Sequence, residues 1–214
     1  MNTALYLLVA VLLLIASFVW GAATVHSHIW PYALVKQLST QPVSEELGLE
    51  NKQRRSIFDV LTEQRDLVFL GDSITEQAPL EEMFPGVDIA NRGISGERFE
   101  NMLSRLDDVL ALRPKAVFLM GGVNDASHDN LPSAISSFRR IAETLREQRI
   151  DLYIQATVEP RGPRRAFVQQ LNFEIRQYAK EQGLVWINNA PLSGDQGLRT
   201  EFTFDGVHLN GDGL

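Results

Sequence analysis

The sequence predicts an α/β fold in which a five-stranded parallel sheet carries helices on both faces. Three observations point to it. From residue 66 onward, apolar runs of four or five residues recur, the length of buried strands. Between them lie segments whose apolar residues repeat at spacings of three and four, the period of a half-buried helix. Strands separated by helices of this size join through right-handed crossovers, which build parallel sheets.

The elements follow in order. The run from Ala4 to Val25 contains no charged residue and is long enough to cross a bilayer as a helix. Trp20, Trp30 and Tyr32 stand where an interfacial aromatic belt would be. It reads as a single-pass membrane anchor. A signal peptide cleaved near Gly21-Ala22-Ala23 is the alternative, against which no Lys or Arg precedes the run. Lys36, Arg54 and Arg55 follow the span, and the side of the membrane carrying the rest of the chain is left open. Residues 26–65 read as a connector ending in a helix, with Ile57, Phe58 and Leu61 as a short apolar face, most of it a spacer.

Residues 66–214 form the expected domain. Strands are predicted at 67–70, 87–90, 116–120, 152–156 and 184–187. One helix is predicted from the recurrence of Phe99, Met102, Leu103, Leu106, Val109 and Leu110, stopped by Pro114. A second carries Ile135, Phe138, Ile141, Ala142 and Leu145. A third carries Val168, Leu171, Ile175 and Tyr178, with Gly183 as its C-terminal cap.

Composition narrows the function. Hydrophobic residues make up 44% of the chain and charged residues 22%, as in a globular protein. A net charge of -7 argues against a nucleic-acid partner, which selects a basic face. The absence of cysteine excludes disulfides, a cysteine nucleophile and thiolate metal sites.

The strand ends carry the chemistry. Ligands of such sheets bind beyond the carboxyl ends of the strands. The first strand ends at Gly71-Asp72-Ser73, the second at "NRGISG" and the third at "GGVND"; the loop after the fifth holds "FDGVHLNGDG". Ser73, Asn124, Asp205, His208 and several glycines then converge on one edge, the residue types that acyl transfer requires. Ser73 is a nucleophile once a histidine accepts its proton, and Asp205 lies three residues before His208. The Asn124 amide, the Gly93 N–H and the Ser73 N–H are candidate oxyanion donors. Asp72 reads as a local backbone acceptor. Arg161, Arg164 and Arg165 read as a solvated loop, with contact to an anionic substrate group as the alternative. A second D-x-x-H pair, Asp125 and His128, has the same spacing as Asp205 and His208, and spacing alone does not choose between them.

The ordered blocks "GDSI", "NRGISG", "GGVND" and "DGVHL" resemble those of the SGNH hydrolases, or GDSL-type esterases, over residues 66–214. The phrase "NRGISG" is most similar to the platelet-activating-factor acetylhydrolase-like branch. The resemblance implies a flavodoxin-like three-layer α/β/α sandwich with no metal and no organic cofactor. It implies Ser73 as nucleophile, Asp205 and His208 as acid and base, and Ser73, Gly93 and Asn124 as the oxyanion hole. The expected protein is a membrane-anchored serine esterase for small acyl, glycan or lipid esters. The alternatives are acyl transfer to a glycan hydroxyl and a tethered binding domain without activity. One departure is expected to matter. Family members usually continue into a final helix, whereas here six residues follow His208, so the sequence is either a fragment or ends unusually; without that helix the expectation is a histidine near a fraying end.

Overall fold

The structure is a computed structural model and describes residues 48–214 together with Ser17 and Trp20. The predicted anchor at 4–25 and the connector up to residue 47 lie, those two residues apart, outside the described part. Among the described residues no helix is long and apolar enough to cross a membrane.

Helix α1 (Leu49–Val60) leads into β1 (Leu67–Gly71), then α2 (Ser73–Gln77), α3 (Leu80–Met83) and β2 (Ile89–Gly93). Helices α4 (Phe99–Ser104) and α5 (Leu106–Leu110) precede β3 (Ala116–Met120). Then come α6 (Leu131–Glu147), β4 (Asp151–Gln155), α7 (Arg165–Gln182) and β5 (Val185–Ile187). A two-stranded ribbon, β6 (Ser193–Gly194) and β7 (Gly197–Leu198), lies before the loop holding Asp205 and His208. The main sheet is parallel with strand order β2-β1-β3-β4-β5. Strand order reverses between β1 and β3, which opens a crevice beyond their carboxyl ends.

Strand alternation divides the core. Val68 and Leu70, Val117 and Leu119, and Leu152 and Ile154 face α4 to α7, where Phe99, Met102, Phe138, Ile141 and Leu171 meet them. The other face carries Phe69, Phe118 and Tyr153 side by side in register. Their rings stack at centroid distances of 4.7 and 4.8 Å. Leu80 of α3 packs on Phe69 and Ile74 of α2 joins Met120. Helices therefore touch both faces, as the α/β reading requires.

Three expectations change. The second strand runs from Ile89 to Gly93 rather than over 87–90, because Asn91 and Arg92 find partners inside the domain. The Asn91 amide donates to Thr75 O at 2.7 Å, and Arg92 is 4% exposed against Phe58. The single helix predicted over 99–110 breaks at Arg105. That side chain turns inward to a fully buried ion pair with Glu97 at 2.7 Å and donates to Arg92 O at 2.8 Å. Finally, the helix expected before the domain turns only one of its three predicted apolar residues toward that domain. Residues 49–61 pack on it through Phe58, 3% exposed, while Ile57 and Leu61 stay exposed. Burying that phenyl ring contributes about 1.5–3 kcal/mol.

Candidate active site

The site is assembled from the turns after β1, β2 and β3 and the loop at 203–210. After β1 the chain enters α2 with Asp72 as its N-cap, whose Oδ1 accepts the Ile74 N–H at 3.0 Å. This fixes Ser73, a residue only 7% exposed, at the first helical position. The expected local role of Asp72 holds. Its Oδ2 is buried and makes no hydrogen bond among the described residues. Burial is the main force pushing this carboxyl up to about 7; Asp125 and Glu97 add to it, while the Ile74 N–H and His208 oppose it.

The Ser73 Oγ lies 2.9 Å from His208 Nε2, and His208 Nδ1 lies 2.6 Å from Asp205 Oδ2. The other Asp205 oxygen accepts the N–H groups of Val207 and His208 at 2.9 and 2.8 Å. Partial burial pulls the Asp205 carboxyl up, but the His208 ring and these two backbone donors outweigh it and hold it well below the usual carboxylate range.

His208 is not loosely held, in contrast to the expectation of a fraying end. Thr203 Oγ1 accepts the Gly206 N–H at 2.9 Å, and Thr203 bridges Leu209. The Asn210 amide donates to Glu201 O at 2.8 Å and its backbone N–H to Phe202 O at 2.9 Å. From the neighbouring loop, the Arg161 N–H donates to Gly206 O at 2.8 Å and its guanidinium to Leu198 O at 3.2 Å. Arg165 pairs with Glu159 at 3.2 Å. Two of the three loop arginines are thus tied to the protein itself, and Arg164 is exposed.

Among the described residues the rival pair makes no hydrogen bond to Ser73, Asp205 or His208. Asp125 is 6% exposed and accepts the Phe99 N–H at 3.3 Å, and His128 points into solvent. Burial raises the Asp125 carboxyl to about 6 against the pull of that N–H.

Asn124, beyond β3, donates one amide hydrogen to Glu97 O at 3.1 Å, leaving its second for a ligand. Gly93 does not present a free donor. Its N–H is taken by Asn91 Oδ1 at 2.9 Å. It is glycine for another reason: a Cβ there would stand 2.2 Å from Glu76 N, where α2 crosses β2.

The residue that sequence reasoning passed over is Gly96. The 94–97 turn closes with Glu97 N donating to Ile94 O at 3.3 Å. Gly96 sits at its third position with φ +76°, and Ser95 before it is not among the residues with positive φ, which together define a type II turn. In that geometry the closing bond leaves the Gly96 N–H unused, and among the described residues nothing beyond its own chain neighbours lies within 4 Å of where its Cβ would be. The second glycine of "NRGISG" in the third position of a turn is the signal that marks it.

A serine, a histidine and a carboxylate thus stand in hydrogen-bond contact at the switch point of a parallel sheet, an arrangement able to carry acyl transfer. Residues 69–214 match the GDSL-like lipase/acylhydrolase family, and the chain belongs to that family and acts as a hydrolase of ester bonds. Solved structures share the fold. A GDSL-like lipase from Bacteroides thetaiotaomicron VPI-5482 is 25% identical with a TM-score of 0.70, over 76% of this chain and 90% of that one. A protein of Streptococcus pneumonia named for platelet activating factor is 24% identical with a TM-score of 0.68, over 77% and 87%. An acetylxylan esterase from Geobacillus stearothermophilus is 20% identical with a TM-score of 0.59, over 71% and 89%. No curated protein matches the chain.

Proposed function

We propose that this chain is a serine esterase that removes small acyl groups, acetyl groups on sugars among them, through an acyl-enzyme on Ser73. The observation that carries this reading is the 2.9 Å contact between Ser73 Oγ and His208 Nε2, backed by Asp205 on the far side of the ring. In the reaction, Ser73 Oγ gives its proton to His208 Nε2 and bonds to the ester carbonyl carbon. The negative charge on the former carbonyl oxygen meets the Ser73 N–H, the second hydrogen of the Asn124 amide and the Gly96 N–H. The ester C–O bond then breaks and His208 returns the proton to the leaving alcohol. Water repeats the sequence on the acyl-enzyme, releasing the acid and free Ser73. Asp205 holds the Nδ1–H and stabilises the imidazolium at each stage.

The acetyl-sugar part draws on the acetylxylan esterases that share this fold. We also propose that the uncharged run from Ala4 to Val25 tethers the enzyme to a membrane. Two measurements test the reading. Purified enzyme assayed on esters of increasing acyl length should be fastest on acetyl and short acyl groups, and Ser73→Ala should lose nearly all turnover. Hydrolysis of none of these esters, or an active Ser73→Ala variant, would refute it. Expressed from the full chain, the protein should stay with membranes through a carbonate wash; release into the soluble fraction would remove the tether.

A further inference from the structure

Helix α1 lies outside the region that matches the family, yet it grips the turn at 94–97. Asn51, Arg54 and Phe58 fall on one helical stripe, at spacings of three and four. The Asn51 amide donates to Ser95 O at 2.8 Å, and Arg54 Nε donates to Gly93 O at 2.7 Å. Arg54 also pairs with Glu76 Oε1 at 3.2 Å. Phe58 anchors the stripe beneath the Arg92 guanidinium, 4.4 Å from its ring centroid, and Arg92 in turn donates to Leu61 O at 2.6 Å. From the domain side, Glu76 Oε2 accepts both the Ser95 N–H, at 2.6 Å, and the Ser95 hydroxyl.

We infer that Asn51 and Arg54 are positioning residues that hold the Ser95–Gly96 peptide in its catalytic orientation. The inference rests on the serine-esterase reading, in which the Gly96 N–H receives the oxyanion. Ser95 C=O and Gly96 N–H belong to one trans peptide plane and point in opposite directions. When Asn51 takes the carbonyl on one side, the N–H is turned to the other. The alternative is a type I turn, in which this central peptide is flipped by about 180° relative to type II. Glycine at the third position permits both, so the turn chemistry leaves the choice open. The Asn51 donor settles it, because the flip would withdraw Ser95 O from the amide and present an N–H in its place. Arg54 keeps the two flanks in place, Gly93 O on one and Glu76 on the other. The helix thereby acts on catalysis without touching substrate.

The test is a kinetic comparison on the full chain. Asn51→Ala should lower kcat about tenfold, a fraction of the effect of losing an oxyanion donor, with KM within about twofold of wild type. Alanine favours helix, so the melting temperature should stay within about 3 °C. Asn51→Asp, the same shape with an acceptor facing Ser95 O, should be at least as slow. Arg54→Ala should behave as Asn51→Ala does, and Arg54→Lys, which keeps the charge opposite Glu76, should recover part of the rate. A wild-type kcat in Asn51→Ala and Arg54→Ala alongside a dead Ser73→Ala would overturn the clasp and leave the esterase reading standing. An active Ser73→Ala would overturn the esterase reading instead. A rise in KM at unchanged kcat would make α1 a substrate-binding element and also overturn the clasp.

Discussion

His208 Nε2 sits 2.9 Å from Ser73 Oγ although 135 residues separate the two in the chain. The contact exists because β1 delivers Ser73 to the sheet edge while Thr203, Leu209 and Asn210 fold the 203–210 loop back onto it. The other histidine with the same D-x-x-H spacing, His128, faces solvent. His208→Ala should therefore reduce kcat/KM by about a thousandfold or more, and His128→Ala by less than about threefold. A dead His128→Ala with an active His208→Ala would reverse the assignment.

The two glycines of "NRGISG" should fail differently. A methyl group at Gly93 would meet the backbone of Glu76 at 2.2 Å, so Gly93→Ala should unfold or lose stability by about 3 kcal/mol or more. A methyl group at Gly96 meets open space, and its cost is the φ of +76°, about 1–2 kcal/mol. Gly96→Ala should fold with a slightly lower Tm and lose kcat. Asn124→Ala should lower kcat about a hundredfold with KM little changed. Thermal melts and steady-state kinetics on the three variants check this; a folded and fully stable Gly93→Ala would contradict it.

Arg105 and Glu97 are both fully buried and meet at 2.7 Å. Burial raises the Glu97 carboxyl, against the pull of Arg105. Removing one partner strands the other charge in the core, so Arg105→Met should cost about 3–5 kcal/mol. Adding Glu97→Leu should return much of that loss, because two apolar side chains replace the pair. Denaturant unfolding of the single and double variants decides; a double variant no more stable than the single would go against this account.

Asp72 should set a pH dependence of opposite sign to that of most carboxylates. Its folded pKa of about 7 stands above the unfolded value of 3.8, so the folded protein binds this proton more tightly. The stabilisation is fully present below the unfolded pKa and is lost as pH rises through about 7. Asn at this position keeps an oxygen for the Ile74 N–H and never ionises. Asp72→Asn should melt about 4–8 °C higher than wild type at pH 8 and near wild type at pH 4. An equal difference at both pH values would show that the carboxyl does not titrate in this range.

Much of this architecture is legible in the sequence because burial wrote it in apolar letters. Val68-Phe69-Leu70 and Val117-Phe118-Leu119 announce central strands, and Ser73 and Asn124 are found by asking what stands just beyond them. The edge strand β2 is misread because Asn91 and Arg92 are polar residues satisfied by α2, α1 and the core, a pairing that only tertiary contact reveals. The break at Arg105 is hidden for the same reason: its helical spacing is sound and its buried partner is eight residues back. Gly93 and Gly96 both read as turn glycines in sequence; the place of Gly96 in the turn is a signal, and the packing role of Gly93 against Glu76 needs the tertiary structure. The stripe Asn51, Arg54 and Phe58 is masked by the apolar pair Ile57 and Leu61, which the domain leaves exposed.

Every role proposed for the site requires that Ser73 be acylated. Incubation of the protein with a fluorophosphonate, followed by proteolysis and mass spectrometry, tests it most directly. One phosphonylated peptide carrying Ser73 is expected, with labelling abolished in Ser73→Ala and sharply slowed in His208→Ala. An unlabelled protein that still hydrolyses esters, or a label on another residue, would contradict it.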